Sequence, residues 1–264
     1  MIKLFNIGKY SDILNAVGKW KIVDMKALYD LLPKNESYES FKRKVRELER
    51  MDLLKSKTHI HNKKYIYLTQ SGFSNSTDPN KLILNEDILT HDLLASEIII
   101  NLMEYSYVTS GECYPKKSDL TIEPDGLIIG SNNKTEKAIA VEVELTQKSS
   151  TRVREKIGNY HRTYDYDLCL FITNKRRIVD TYCRFLNEFD TDCKKKFIFI
   201  YSDQLYAGRI SLESSQCTYM NKEIEFNSIF GNKRLSSMAS HPIVSTSRPD
   251  RIHEQNPTFT NARY

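Results

Sequence analysis

The sequence lacks the features that would place this chain in a membrane or an oxidising compartment. It has no uninterrupted apolar run of about 18 residues, which argues against a transmembrane helix, and residues 1–5 lack the long apolar core of a signal peptide. Its five cysteines are odd in number and form no C-x-x-C pair, which argues against a disulfide framework and a zinc site. No G-x-x-x-x-G-K phosphate-binding loop is present. We therefore expect a cytoplasmic protein with reduced thiols and no membrane span.

Charge is distributed unevenly along the 264 residues. Hydrophobic residues make up 40% of the chain and charged residues 28%, which is typical of a globular protein. The net charge is +5, but residues 1–73 alone hold 15 Lys and Arg against 8 Asp and Glu, so the remainder is slightly acidic. A basic N-terminal third on a near-neutral body indicates a nucleic-acid-binding module. The alternative is an ordinary solvated, lysine-rich surface.

Composition also divides the chain into three parts. Residues 74–80 are polar and contain a proline, which marks a boundary after the basic N-terminal part. From residue 231 onward the chain is polar, rich in Ser, Pro and Asn, and without apolar periodicity. We predict an N-terminal domain at 1–73, a larger domain at 81–230 and a disordered tail at 231–264.

The N-terminal part has the pattern of three helices followed by a hairpin. Asp24 and Ser37 are suitable caps for the second and third helices, and Phe41, Val45 and Leu48 recur at helical spacing in the third. The predicted helices are residues 10–18, 25–32 and 38–51, and the predicted hairpin joins residues 53–54 to 65–69 with its tip at 57–64. The outward face of the third helix is strongly basic.

This order of elements resembles a winged helix-turn-helix. The resemblance implies that the third helix enters the major groove of DNA and that the hairpin contacts the phosphate backbone. The cations expected to contact DNA are Lys42, Arg43, Lys44, Arg46, Arg50, Lys57, Lys63 and Lys64. Because winged helices also serve as protein-interaction modules, that alternative stays open.

The most informative stretch predicts two short strands, at residues 123–129 and 137–145, joined by a polar turn. Side chains alternate along a strand, so Glu142 and Glu144 project from one face, next to Asp125 on the neighbouring strand. Carboxylates crowded in this way repel and raise each other's pKa, a cost that a hard divalent cation usually offsets. We predict all three as metal ligands. The alternative is an edge strand whose polar face lies in water.

The elements around these acids resemble the core of the PD-(D/E)xK nuclease superfamily. A helix is predicted before them at 86–104, and a basic helix at 149–164 and a strand at 168–173 follow. The motif matches at Pro124-Asp125 and at Glu142. The resemblance implies an α/β fold in which the N-terminal winged helix is followed by a nuclease-like mixed sheet flanked by helices.

One position departs from that motif. The superfamily usually has a lysine two residues after the second acid, where this chain has Glu144. In variants of the superfamily the lysine moves to a nearby position, and Lys148 and Lys156 are the candidates here. His91 lies in the predicted first helix and is expected to face the acids.

The whole pattern, PDG followed by ExE, K and Y, is similar to plasmid replication-relaxation and MobC-type mobilisation proteins. It occurs here at Asp125, Glu142, Glu144, Lys156 and Tyr160. The resemblance implies a relaxase that uses Mg²⁺ or Mn²⁺ to nick double-stranded DNA at a plasmid transfer origin, with accessory mobilisation proteins as further partners. The catalytic residues it implies are Asp125, Glu142, Glu144, Lys156, Lys148 and His91.

Three questions about the chemistry stay open at this point. The second domain could have lost catalysis, which would leave a DNA-binding regulator of plasmid replication or transfer. The same core could instead belong to an endonuclease of defence or transposition. Finally, the sequence does not distinguish hydrolysis from covalent attack by a tyrosine.

Overall fold

The computed structural model describes residues 10–33, 35–58, 62–78, 81–85, 89–114, 122–131, 135–206 and 210–234. Its helices there are α1 (Ser11–Trp20), α2 (Met25–Leu31), α3 (Tyr38–Arg50), α4 (Gln70–Asn75), α5 (Leu89–Leu102), α6 (Ser150–Arg162), α7 (Arg176–Leu186), α8 (Thr191–Lys195) and α9 (Phe226–Phe230). Its strands there are β1 (Ile22–Asp24), β2 (Leu54–Thr58), β3 (Lys64–Leu68), β4 (Val108–Cys113), β5 (Gly126–Ser131), β6 (Glu136–Val143), β7 (Leu168–Thr173), β8 (Phe197–Tyr201), β9 (Gln216–Tyr219) and β10 (Lys222–Glu225). None of these helices has the length and apolar character needed to cross a membrane.

The N-terminal unit follows the order α1-β1-α2-α3-β2-β3. Its three strands form an antiparallel sheet in the order β1-β3-β2. Capping side chains set the helix starts, since Asp24 accepts a hydrogen bond from the Ala27 N–H and Ser37 accepts one from the Ser40 N–H. The interpretation of this unit as a DNA-binding winged helix stays a prediction.

Two local boundaries differ from the sequence-based expectation. Helix α1 continues through Gly18 to Trp20, because Gly18 serves close packing here and does not end the helix. A Cβ atom at Gly18 would lie 3.0 Å from the Lys81 Cβ and 3.1 Å from the Leu68 Cδ1. Strand β2 extends to Thr58, so Lys57 lies on the strand and not at the hairpin tip.

The larger unit is built on a seven-stranded sheet with the order β10-β9-β8-β7-β6-β5-β4. Strand β6 pairs in parallel with β7, and β7 pairs in parallel with β8, whereas the remaining neighbours are antiparallel. Parallel strands need a crossover connection, and α6 and α7 supply the two crossovers. The mixed α/β architecture with a helix-flanked sheet is thereby confirmed.

Both faces of this sheet are covered. Along β6, Ile139 and Val141 belong to the hydrophobic core that contains α5, whereas Ala140 packs with residues of α6 and α7 on the other face. Helix α5 has no distinct polar face, and buried residues lie on all of its sides, which is typical of a buried helix. It is buried because β1 of the N-terminal unit and β4 of the large sheet both pack against it. The two units therefore share one continuous core.

At both predicted domain boundaries, residues that the structure describes are hydrogen-bonded to the folded units. After α4, the Asn15 side-chain oxygen accepts hydrogen bonds from the Ser76 hydroxyl and from the Thr77 N–H. At the other end, the Arg234 guanidinium donates to the Val108 carbonyl over 2.8 Å. The rest of the predicted tail, residues 235–264, lies outside the described residues.

Candidate active site

Asp125 and Glu142 lie side by side at one end of the β5–β6 pair. Gly126 is opposite Val141 in the antiparallel register, so Asp125, which precedes β5, is next to Glu142 near the end of β6. The Asp125 Oδ2 accepts a hydrogen bond of 2.8 Å from the Val143 N–H. The Asp125 side chain keeps 17% of its surface exposed, whereas that of Glu142 keeps only 5%. Solvent therefore reaches this carboxylate pair from the Asp125 side.

Helix α6 brings an amine to the two glutamates. Ser149 caps the helix, and its buried residues Val153, Ile157 and Tyr160 anchor it on the sheet. Lys156 lies on the same helical face, with its Nζ 2.8 Å from the Glu142 Oε2 and 2.7 Å from the Glu144 Oε1. The structure thus places this lysine against the second acid of the motif.

Two tyrosines and a second lysine complete the surroundings of the glutamates. The Tyr160 hydroxyl donates to the Glu142 Oε1, and the Tyr182 hydroxyl on α7 donates to the Glu144 Oε1 over 3.0 Å. The Lys148 Nζ lies 3.9 Å from the Glu144 Oε2, and its side chain is 40% exposed. Glu144, predicted as a metal ligand, is therefore surrounded by donors from α7 and from both candidate lysines.

Burial controls the protonation of these groups. It raises the pKa of Glu142 to about 7, with the negative charge of Asp125 adding to the rise and Lys156 opposing it. Burial alone would lower the pKa of Lys156, but Glu142 and Glu144 raise it above the usual lysine value. Burial also raises the pKa of Tyr160 and of Tyr182. Both tyrosines are therefore suited to donate hydrogen bonds and poorly suited to form a nucleophilic phenolate.

His91 approaches the acids from α5. Its Nε2 lies 3.1 Å from the Val143 carbonyl oxygen and 3.4 Å from the Asp125 Oδ2. Hydrogen bonding to Asp125, and then to Asp92, raises the pKa of His91 to about 10 against the opposing effect of burial. The imidazole is therefore protonated at neutral pH and donates toward the Asp125 carboxylate.

The carboxylates of this site fit a hard cation that takes only one or two of its ligands from the protein. Across the described ranges no group of three or more His, Cys, Asp or Glu side chains is arranged to hold a metal ion. Mg²⁺, however, is usually held by one or two carboxylates together with waters and substrate phosphates. Asp125 and Glu142 supply such a pair, and the repulsion that helps raise the pKa of Glu142 is relieved by a bound cation.

The six predicted catalytic residues come together at this end of the sheet, but the sequence did not point to four other participants. Tyr182 bonds to Glu144, and behind His91 the Tyr114 hydroxyl bonds to Asp92, which forms an ion pair with Lys21. The only available signal was the position of Asp92 directly after His91 on α5. The other three lie far away in sequence, so no spacing pattern could reveal them.

The predicted DNA-binding cations divide into a group exposed on α3 and β2 and a group that forms ion pairs. Arg43, Arg46 and Arg50 recur at three- and four-residue spacing and share one face of α3. Lys57 is exposed on β2. The ion-paired group comprises Lys42 with Glu39, Lys44 with Glu36, Lys63 with Glu97 and Lys64 with Glu49. The three arginines are therefore the best candidates on this helix for contacts with phosphate.

Comparison with known proteins leaves the family open. No known family and no curated protein matches this chain. Among solved structures it is similar to one titled "structure of restriction endonuclease FokI", at 12% identity over 74% of this chain and with a TM-score of 0.27. The match spans 42% of that protein's chain. A likeness at this level carries no argument about function, so the proposal below rests on the site itself.

Proposed function

We propose that this protein is a DNA endonuclease that depends on Mg²⁺ or Mn²⁺. One observation carries the proposal: Asp125, just before β5, lies next to Glu142 of the neighbouring β6, with the Lys156 amine 2.8 Å from Glu142. Two oxygen donors beside one fixed amine suit chemistry on a phosphodiester, which needs a bound cation and stabilisation of negative charge. Lys156 supplies the positive charge that the motif lacks at Glu144.

Each residue then has a distinct task. Asp125 and Glu142 would hold the cation, whose contribution is to activate a water molecule and to stabilise charge on phosphate. Lys156 places a fixed positive charge next to the carboxylate pair, and its side chain is 28% exposed. Glu144, which accepts a hydrogen bond from Tyr182, holds that amine in place, while His91 orients the Asp125 carboxylate.

The finer proposal is a plasmid-mobilisation relaxase that nicks at a transfer origin with accessory mobilisation proteins. It rests on the resemblance of the PDG, ExE, K and Y pattern, and on the basic face of α3 as the element that selects DNA. A relaxase cuts one strand, so it converts supercoiled plasmid to the open-circular form. An endonuclease of defence or transposition is expected to produce linear DNA.

The test is incubation with supercoiled plasmid that carries the intergenic region next to this gene, in Mn²⁺, in Mg²⁺ and in EDTA. We expect open-circular product with either metal and none in EDTA. A plasmid without that region serves as the control for site selection. Cleavage that persists in EDTA would contradict the metal-dependent assignment.

A non-catalytic regulator is the second candidate. It is favoured by the closed arrangement of the glutamates, because both Glu142 oxygens already accept hydrogen bonds from Lys156 and Tyr160. For this candidate we expect specific DNA binding with no cleavage in either metal and no measurable Mn²⁺ binding by calorimetry. Mn²⁺ binding together with nicking would contradict this second candidate and support the endonuclease.

Replacing Arg43, Arg46 and Arg50 by alanine is expected to weaken DNA binding and flatten its salt dependence. The slope of log affinity against log salt falls by about 0.9 for each phosphate that the protein no longer neutralises. The charge-matched control replaces Lys137, Arg184 and Lys222, cations of the larger unit, by alanine. Fluorescence anisotropy at several salt concentrations provides the measurement. Equal slopes for the two triple variants would show that these arginines do not contact phosphate.

A further inference from the structure

A buried ion pair joins the N-terminal unit to the helix that carries His91. Asp92 on α5 has no exposed side-chain surface, and its Oδ2 lies 2.8 Å from the Lys21 Nζ. Lys21 follows α1, so its charge comes from the other unit, and its side chain is only 12% exposed. Burying two charges is costly, and apolar packing would stabilise such an interface at least as well. The pair therefore calls for a role other than stability.

Tyr114 connects this ion pair to His91. Its hydroxyl donates to the Asp92 Oδ1 over 2.5 Å and lies 3.3 Å from the His91 Nδ1. The Lys21 Nζ lies 4.1 Å from the centre of the Tyr114 ring, within the range of a cation–π contact. One tyrosine thus contacts the lysine, the aspartate and the histidine.

The same network continues into the carboxylate pair. The His91 Nε2 is within reach of the Val143 carbonyl and of the Asp125 Oδ2, and the Val143 N–H donates to that same Asp125 oxygen. The Tyr114 N–H donates to the Asp125 carbonyl over 2.9 Å. The carboxylate of Asp125 is therefore held by Val143 and His91, and its backbone carbonyl is held by Tyr114.

Backbone geometry marks the same two residues. Lys21 has φ of 64° and Tyr114 has φ of 44°, in the left-handed region that side chains larger than Asn or Asp seldom adopt. Conformations of this kind persist only where the surrounding contacts fix them, and they concentrate at functional sites. Here both of them bring a side chain to Asp92.

We infer that Lys21, Asp92 and Tyr114 are positioning residues that hold His91 on Asp125, so that the candidate active site is complete only when the N-terminal unit is docked. The inference rests on the proposed function for its activity readout alone, because the arrangement of Asp125 can be followed without catalysis. A DNA-binding unit and a cleavage site linked in this way would couple occupancy of the first to geometry of the second.

A second contact between the same units supplies a matched control. The Tyr65 hydroxyl on β3 donates to the Glu97 Oε1 over 2.6 Å, farther along α5. Like Tyr114, Tyr65 is a tyrosine whose hydroxyl bonds an acid of this helix. Tyr114→Phe and Tyr65→Phe therefore each remove one hydroxyl that bonds an acid of α5. Only Tyr114→Phe also removes a contact with His91.

The experiment compares these two variants of the full chain. We expect Tyr114→Phe to lower kcat for nicking by about 10- to 100-fold with KM for DNA little changed, as is common when a residue supporting a ligand is removed. In amide hydrogen exchange, the Val143 N–H should exchange about tenfold faster, because its acceptor on Asp125 is no longer fixed. The His91 ring nitrogen resonances should also shift. Tyr65→Phe should leave all three readouts at wild-type values.

Substitutions at Lys21 give a second line of test. Lys21→Met combined with Asp92→Asn removes the pair without leaving a buried unpaired charge and should reproduce the Tyr114→Phe behaviour, whereas Lys21→Arg should retain wild-type kcat. Wild-type kcat and Val143 exchange in Tyr114→Phe would overturn the inference, as would equal losses in Tyr65→Phe. If the wild-type protein does not cleave DNA, the proposed function fails, and the exchange and ring-nitrogen data alone decide the inference.

Discussion

Asp125→Asn is expected to slow metal-dependent nicking by about 10³-fold while leaving the fold and the DNA affinity unchanged. Asparagine keeps an oxygen that can accept the Val143 N–H, so the hydrogen bond that fixes the end of β6 survives. What disappears is the negative charge next to Glu142, and with it one of two carboxylates available to the cation. Loss of one preorganised electrostatic group typically costs about 10²- to 10³-fold in rate. We place Asp125 at the upper end of that range because it is the more exposed carboxylate of the pair.

The same strand offers a control of the same chemistry. At the other end of β6 the Asp167 Oδ2 accepts a hydrogen bond of 2.7 Å from the Ala138 N–H, as Asp125 does from Val143. Asp167→Asn therefore makes the same substitution at an equivalent structural position, far along the strand from the glutamates. Thermal melts should show similar stability for both variants, and only Asp125→Asn should slow plasmid nicking. Nicking by Asp125→Asn at the Asp167→Asn rate would remove Asp125 from the site.

The local part of this site could be predicted because it follows from strand and helix periodicity. Alternation along β6 and the residue after it places Glu142 and Glu144 on one face, and the structure buries both on the face covered by α6 and α7. Helical spacing likewise places Lys156 with Tyr160. Each of these relations spans a few residues within one element, so the backbone geometry alone determines it.

The contacts between distant elements could not be predicted in this way. Lys21 reaches Asp92, and Tyr182 reaches Glu144, only because the chain folds back over long separations. The net charge of the N-terminal part also does not show which of its cations form ion pairs. The N-terminal excess of basic residues predicted a basic α3, but Lys42 and Lys44 are paired with glutamates of their own region, which leaves its arginines as the better candidates for phosphate contacts.

Domain separation was the least predictable feature. The polar residues 74–78 have the composition of a linker, yet Ser76 is buried and Thr77 is hydrogen-bonded to α1. The reason lies in α5, which is buried because β1 of the N-terminal unit and β4 of the large sheet both pack against it. Contacts between elements this far apart in sequence leave no local pattern, so the composition of residues 74–78 could not reveal them.

Exchanging the charges of Glu144 and Lys156 is expected to preserve both stability and nicking, whereas each single change impairs them. Lys156→Glu leaves three buried carboxylates with no amine from α6 among them, and Glu144→Lys leaves two amines facing one carboxylate. Breaking a buried pair in this way costs about 3–5 kcal/mol of unfolding free energy. In the double variant one amine again faces Glu142, now two residues after it on the strand, the position at which the PD-(D/E)xK pattern has its lysine.

An exposed pair that joins α6 to the residues after α7 is the control for this cycle. Arg154 bonds Glu188 over 2.7 Å with both side chains nearly half exposed, and such solvated pairs contribute little to stability. Reversing the charge of Arg154, of Glu188 or of both should change neither the melting temperature nor the nicking rate appreciably. For Glu144 and Lys156 we expect the double variant to recover most of the melting temperature and nicking that the single variants lack. A double variant that is stable yet inactive would mean that the amine must come from α6 itself. The ion pair would then be sufficient for the fold, whereas nicking would require the position that α6 gives the amine relative to the phosphate.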